Sequence, residues 1–180
     1  APMCPKTSAR MLVLRRLLHE PLFNKLRTRK QLGYIVSMSN TGFGRAKNRN
    51  TLRGFTARIL SKRYHPIEIQ SELEQFLFET QTTLCEYTDS DIAHRAEALV
   101  SSLLDPPTSY KEEADEYWGR IIDDIPFDYL DEVIVELRAL KALDILTAYN
   151  HWFMNTEQSR RSVSLMLFGK AHRKEYESLV

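Results

Sequence analysis

Five histidines (His19, His65, His94, His151 and His172) and two cysteines (Cys4 and Cys85) are the groups in this sequence best suited to hold a metal or shuttle a proton. A zinc site that is legible locally, as H-E-x-x-H or H-x-x-E-H, puts two histidines and a glutamate within about one helical turn, because positions four apart share a helix face. No two of these histidines have that spacing. His19-Glu20 begins the pattern, but the position three beyond Glu20 is Phe23. Cys4 and Cys85 lie far apart, without the close pairs from which structural zinc sites are built. Gly42 and Gly44 form a G-x-G lacking its third glycine and sit in a hairpin loop, which excludes a dinucleotide fingerprint, and neither a G-x-S-x-G elbow nor a P-loop occurs. The sequence on its own shows no catalytic centre.

A second chemistry is suggested by the basic tract Arg45, Lys47, Arg49, Arg53, Arg58, Lys62 and Arg63, with Phe43, Phe55 and Tyr64 interleaved. Cations and aromatics on a strand can hold single-stranded nucleic acid through phosphate contacts and base stacking. The residue types do not follow a ribonucleoprotein motif, and a pI near 8.0 is low for a basic footprint. Charge is polarised along the chain: residues 1–63 hold fifteen Lys and Arg against the single acid Glu20, and residues 64–180 hold ten against twenty-three acids. That asymmetry suits a wet, mutually compensating surface or a face turned to an anionic partner.

The third candidate is the run Phe23-Asn24-Lys25-Leu26-Arg27-Thr28-Arg29-Lys30-Gln31-Leu32-Gly33-Tyr34-Ile35-Val36. Here a helix end or loop delivers Arg27, and a strand start hinged at Gly33 delivers Tyr34 seven positions later.

The elements that must position these groups are readable from spacing. At 180 residues, 43% hydrophobic and 27% charged, the chain fits one globular domain, and no stretch reaches the roughly 18 apolar residues of a membrane-spanning helix. Two cysteines make a disulfide framework an unsuitable reading and fit a reducing compartment. Residues 1–9 lack periodicity and are expected to be disordered or partly ordered, with residues 10–180 forming a single α+β domain. From Ser8 onward Met11, Leu14, Leu18 and Leu22 mark a helix stripe that Pro21 should bend or loosen. Strands are expected over Tyr34 to Met38 and Leu52 to Leu60, joined by a long hairpin turn. Pro66 opens a helix through Leu84. Thr88 with Asp91, and Ser109 with Glu112, mark capping boxes, and Asp105-Pro106-Pro107 ends the helix between them. Asp128 caps a further helix through Leu137, Leu140 to Phe153 continues with helical spacing, and Val163, Leu165 and Leu167 alternate like a returning strand. The fold class is α+β, an antiparallel sheet with several helices on one face. Cys85 and Trp118 read as core and Gly119 as a close-packing position.

The Phe23 to Val36 run resembles the L-R-T-x-x-Q-L-G-Y-x-V signature in the last domain of the insulysin and pitrilysin family of zinc metallopeptidases. Leu104-Asp105-Pro106, Tyr117-Trp118-Gly119, Phe127-Asp128 and Arg160-Arg161 recur in the same order, so the resemblance covers roughly residues 10 to 169. It implies an incomplete, noncatalytic fourth domain of a zinc metalloendopeptidase, truncated on its N-terminal side and inactive alone. Zinc would be bound by another domain of the parent chain, and this one would close the chamber and contact peptide substrate near the scissile bond. Arg27 and Tyr34 match the substrate-contacting arginine and tyrosine, with Gln31 and Gly33 in support. An Arg fork can bind a carbonyl or carboxylate, and a Tyr hydroxyl can donate to a carbonyl oxygen gaining negative charge. The implied partners are a peptide or small unfolded polypeptide, held by strand addition, and the N-terminal catalytic half of the same chain. No membrane partner is implied. Exposed sheet edges would favour homo-oligomers, and the expected compartment is cytoplasmic. Two departures stand out: Lys30 occupies a position usually filled by Glu, and Lys141-Ala142-Leu143-Asp144 replaces a Thr-containing helix start, which should leave that start less well capped. Two readings from other classes stay open, a noncatalytic subunit of processing-peptidase type and a basic nucleic-acid module.

Overall fold

Helix α1 of the computed structural model, which describes residues 4–43, 52–154 and 160–177, runs over Pro5–Leu22. It starts three residues before the expected Ser8. Proline suits that start, since its missing N–H would be unpaired there anyway, and Cys4 Sγ accepts from the Thr7 N–H at 3.4 Å. Pro21 withdraws a donor from the last turn, and from Phe23 to Arg29, expected to be a helix end or loop, the backbone widens into a π-helix. Strands β1 (Ile35–Phe43) and β2 (Leu52–Leu60) pair as a two-stranded antiparallel hairpin. Helices α2 (Pro66–Cys85), α3 (Asp89–Leu103), α4 (Tyr110–Ile122), α5 (Tyr129–Ala139) and α6 (Ala142–Phe153) follow. A short 3-10 turn (Lys170–His172) then leads into α7 (Arg173–Glu177). None of these helices is long and apolar enough to cross a membrane.

The chain divides into two compact units. One comprises Ala1–Arg15, Asn40–Phe55 and Tyr87–Ile145. Its core draws on Met11, Val13 and Leu14 of α1, Ile92, Ala96 and Val100 at four-residue spacing on α3, and Val133, Ile134 and Leu137 of α5. α3 and α5 pack on each other, and the Arg138 guanidinium grips Glu97 from α5 to α3 with Nη2 to Oε1 at 3.0 Å. The Thr88 and Asp91 box forms as expected: Thr88 Oγ1 accepts from the Asp91 N–H at 3.2 Å, and Asp91 Oδ2 accepts from the Thr88 N–H at 2.9 Å. Those Thr88 bonds hold the Asp91 carboxyl below its ordinary pKa.

The other unit comprises Arg16–Ser39, Thr56–Glu86 and Leu146–Val180. Leu18, Leu22, Leu26, Val36, Phe76, Leu77, Leu84 and Tyr149 form its interior. Tyr149 is fully buried, stacks on Phe153 at 4.9 Å and donates its hydroxyl to the Leu77 carbonyl at 2.5 Å. Burial pushes its phenol pKa up, so the hydroxyl stays a donor. Arg160 clasps Glu74 with two bonds of 2.7 and 2.6 Å.

Several expectations are corrected. The domain is mostly helical, and its sheet is the hairpin alone among the described residues. Val163 to Leu167 is not a strand, because period-two apolarity marks a face but cannot supply a ladder partner; Val163, Leu165 and Leu167 are 98%, 85% and 80% exposed. Trp118 is 61% exposed, α4 contributes no buried residue, and a Cβ at Gly119 would meet nothing within 4 Å, so neither residue fills a core. Cys85, at the last turn of α2, is exposed. Ser109 accepts from the Glu112 N–H at 3.2 Å, but the Glu112 carboxylate turns to Thr108 instead of closing the box. Asp128 stands at the start of α5 without capping it through its side chain. The start of α6, expected to be less well capped, is served from a distance: Asp89 Oδ1 accepts from the Ala142 N–H at 2.8 Å. Asp144 there also accepts from the Lys141 N–H at 3.3 Å and pairs with Arg10 at 2.7 Å.

Candidate functional site

Arg27, Gln31, Gly33 and Tyr34 all belong to the second unit, Arg27 within the π-helix and the other three on the segment joining it to β1. The π-helix is pinned by Leu26, which is completely buried, while Arg27, Thr28 and Arg29 beside it are exposed. Two ion pairs to α2 brace it on either side of Arg27. Lys25 Nζ meets Glu79 and Lys30 Nζ meets Glu72. The Lys25 hydrogen bond, aided by the Lys25 and Lys30 charges, holds the Glu79 carboxyl below its ordinary pKa. The Arg27 guanidinium lies over the Phe23 ring, 4.9 Å from its centroid, which restricts a long side chain without neutralising it.

The turn into β1 is tightly specified. The Lys30 N–H closes on the Lys25 carbonyl at 3.0 Å and the Leu32 N–H on the Leu26 carbonyl at 2.9 Å. Gln31 is left-handed, with φ of 51°, a conformation that strains a residue bearing a Cβ. Leu32 is buried behind it. Gly33 then passes so close to β2 that a Cβ would stand 2.7 Å from the Leu60 carbonyl oxygen and 3.1 Å from Ile59 Cγ2. That approach lets the Tyr34 N–H bond the Leu60 carbonyl at 2.7 Å, which starts the hairpin ladder and fixes where Tyr34 leaves the backbone. Its side chain is 71% exposed.

Among the described residues, neither the Arg27 guanidinium nor the Tyr34 hydroxyl is engaged by a hydrogen bond or ion pair. One offers a cation with a planar fork and the other a neutral donor, both on a braced backbone. Such groups can bind and polarise a carbonyl or carboxylate, but they do not form a nucleophile and base. No three His, Cys, Asp or Glu side chains gather into a group that could hold a metal ion among the described residues.

Sequence reasoning missed the braces and the platform. Phe23 lies four positions before Arg27 and could have been read as its support; Lys30 in place of an acid is explained by Glu72, whose partnership no local pattern reveals. Of the basic tract, Arg45, Lys47 and Arg49 lie outside the described residues, and Arg58, Lys62 and Arg63 are exposed.

Residues 13–118 match the family described as PQQ synthase PqqF-like, C-terminal lobe domain 4. The chain is 29% identical over 155 residues to the insulin-degrading enzyme of Homo sapiens, covering 86% of this chain and 14% of that protein. It is 24% identical over 165 residues to a nardilysin-like protein of Arabidopsis thaliana, covering 91% of this chain and 16% of that one. The crystal structure of pitrilysin superposes with a TM-score of 0.70 at 20% identity, over 82% of this chain and 15% of pitrilysin, which shows a shared fold. The chain thus spans 14–16% of the length of these relatives, and the family model it matches is a C-terminal lobe domain. It belongs to the PqqF-like C-terminal domain 4 family, within the pitrilysin and insulin-degrading-enzyme group.

Proposed function

We propose that this domain serves a zinc metalloendopeptidase of that group by helping to enclose peptide substrate and by presenting Arg27 and Tyr34 to it near the scissile bond. The observation that carries the reading is the pairing of two exposed side chains, neither in a hydrogen bond or ion pair among the described residues, with a backbone that is over-determined beneath them. Ion pairs flank Arg27, and a glycine-only approach sets the start of Tyr34. Exposed polar groups held on a strained, braced turn suit contact with a ligand better than contact with solvent alone.

In this reading zinc and the general-base carboxylate are supplied by another domain, and polarise water for attack. The residues of this chain bind and orient. The Arg27 guanidinium donates to carbonyl or carboxylate oxygens of the peptide. The Tyr34 hydroxyl donates to the carbonyl oxygen as it gains negative charge, stabilising the transition state more than the bound ground state. Extended peptide is held by strand addition, and the substrate is a short or unfolded polypeptide.

The test is turnover of a peptide by the whole parent enzyme carrying Arg27→Ala or Tyr34→Phe. Removing one such donor lowers kcat on the order of 100- to 1,000-fold, or about 3 kcal/mol. Turnover equal to the unsubstituted enzyme in both variants, with folding intact, removes the proposed roles.

A further inference from the structure

In the first unit, α4 buries none of its residues. Tyr110, Tyr117, Trp118, Ile121 and Ile122 recur at helical spacing along one face of it. Phe127, just beyond the helix end, brings its ring to 6.0 Å from that of Tyr117 and extends the face. All six are between 49% and 92% exposed. A surface helix turns such a stripe to a core, whereas α4 turns it to solvent. The four aromatic rings alone leave on the order of 500 Å² open, the size at which exposed apolar patches mark interaction sites.

The rim of this face is acidic. Residues 105–128 carry eight Asp and Glu against two bases. Both bases are already paired inside the segment, Lys111 with Asp115 and Arg120 with Glu116. Glu113, three positions after Tyr110 and four before Tyr117, borders the stripe, and Asp123 and Asp124 stand at its C-terminal end. None of these three carboxylates is in a hydrogen bond or ion pair among the described residues. Two acids at that end run against the helix dipole, which favours a cation there. We infer that this face docks a basic amphipathic segment of a partner protein, its aliphatic side chains against Tyr117, Trp118 and Ile121 and its lysines or arginines beside Glu113, Asp123 and Asp124. Charge decides the occupant. A second copy would set these carboxylates against their own equivalents in a two-fold contact, and a nucleic acid or anionic bilayer would meet the same repulsion. A basic segment gains from both parts of the surface, apolar burial for affinity and opposite charge for encounter and orientation. The face uses neither Arg27 nor Tyr34, so it stands whether or not they contact substrate.

The probe is an amphipathic helical peptide of about 14 leucine and lysine residues, set against a counterpart with glutamate for every lysine. Each is titrated into the 180-residue chain while backbone amide and indole resonances are followed. The lysine peptide binds about tenfold or more tightly than the glutamate peptide, shifts the signals of Tyr117, Trp118 and Ile121, and loses affinity as salt rises. Trp118→Ala lowers its affinity about tenfold or more, as removal of a central interface aromatic does, and does so without emptying a core because that side chain is exposed. Glu113→Gln combined with Asp124→Asn lowers it about fivefold and flattens the salt dependence; Asn suits the left-handed backbone of position 124, where φ is 51°. Glu86→Gln, an exposed acid of the other unit, leaves affinity unchanged and separates local pairing from overall charge. Equal affinity for the two peptides, no binding, shifts away from α4, wild-type affinity in Trp118→Ala, or an equal effect of Glu86→Gln overturns the inference. A dimer of the chain alone that Trp118→Ala dissolves overturns it too, because the face then belongs to a second copy.

Discussion

Replacing Gly33 with alanine tests the geometry on which the exit of Tyr34 depends. The added methyl would stand 2.7 Å from the Leu60 carbonyl oxygen, 3.1 Å from Ile59 Cγ2 and 3.2 Å from the Ile35 carbonyl oxygen. Two of the three neighbours are backbone, so a rotamer change cannot relieve the contact, and β1 and β2 must separate at their start. The bond from the Tyr34 N–H to that same Leu60 carbonyl is then stretched or lost. Overpacking costs about 1–3 kcal/mol and the lost bond about 1 kcal/mol, against a gain of about 0.4–1 kcal/mol from a less flexible unfolded chain. The net effect is a destabilisation of about 2 kcal/mol. In a chain of this length that lowers Tm by roughly 4–8 °C. Gly119 is the matched control, a helical glycine with nothing within 4 Å of its would-be Cβ, where alanine adds helix propensity and stabilises by about 0.5–1 kcal/mol. Circular dichroism during thermal and urea unfolding reads both, with the expected shifts of opposite sign. Gly33→Ala matching or exceeding the wild-type midpoint would refute the claim that this position must be glycine to admit the close approach.

Asp89→Ala takes the acceptor from the Ala142 N–H while leaving the Thr88 and Asp91 box untouched, so urea unfolding should show a loss of about 1 kcal/mol that Asp89→Asn largely restores; equal loss in both would assign the effect to charge rather than to the cap. For Asp144, burial pushes the carboxyl pKa up, but the Arg10 bond, the Lys141 N–H and the Arg10 and Lys6 charges outweigh it and hold it below its ordinary 3.8. A carboxyl depressed in the folded state contributes stability that is present above its unfolded pKa and is lost as pH falls through the folded value. Asp144→Asn should therefore be less stable than wild type by about 1 kcal/mol at pH 6, with the gap closing as pH drops below about 4, and a gap that is constant with pH would refute the linkage.

What could be read in advance was local. Pro66 opens α2, Thr88 and Asp91 close a box at three-residue spacing, and Asp105-Pro106-Pro107 follows the end of α3, because each signal lies within a turn of its effect. The same is true of the site. Arg27, Gln31, Gly33 and Tyr34 are recognisable as a run, and Phe23 beneath Arg27 was within reach of the same inspection. What could not be read depends on partners far along the chain. The π-helix at Phe23–Arg29 is flanked by Glu79 and Glu72, 54 and 42 residues from their lysines, and the start of α6 borrows Asp89 from 53 residues away. Cys85, Trp118 and the Val163 to Leu167 stretch fail for a related reason: apolar periodicity shows which residues could share a face, not whether another element covers it. The uncovered set and the site then differ in kind. Arg27 and Tyr34 are exposed on a backbone locked by buried Leu26 and Leu32, whereas Val163, Leu165 and Leu167 are exposed on a segment that joins no strand. Exposure with a rigid support fixes where a functional group points, and only such groups can add to binding without an ordering cost. For that reason the peptide contact we propose falls on Arg27 and Tyr34, although larger exposed apolar side chains lie elsewhere.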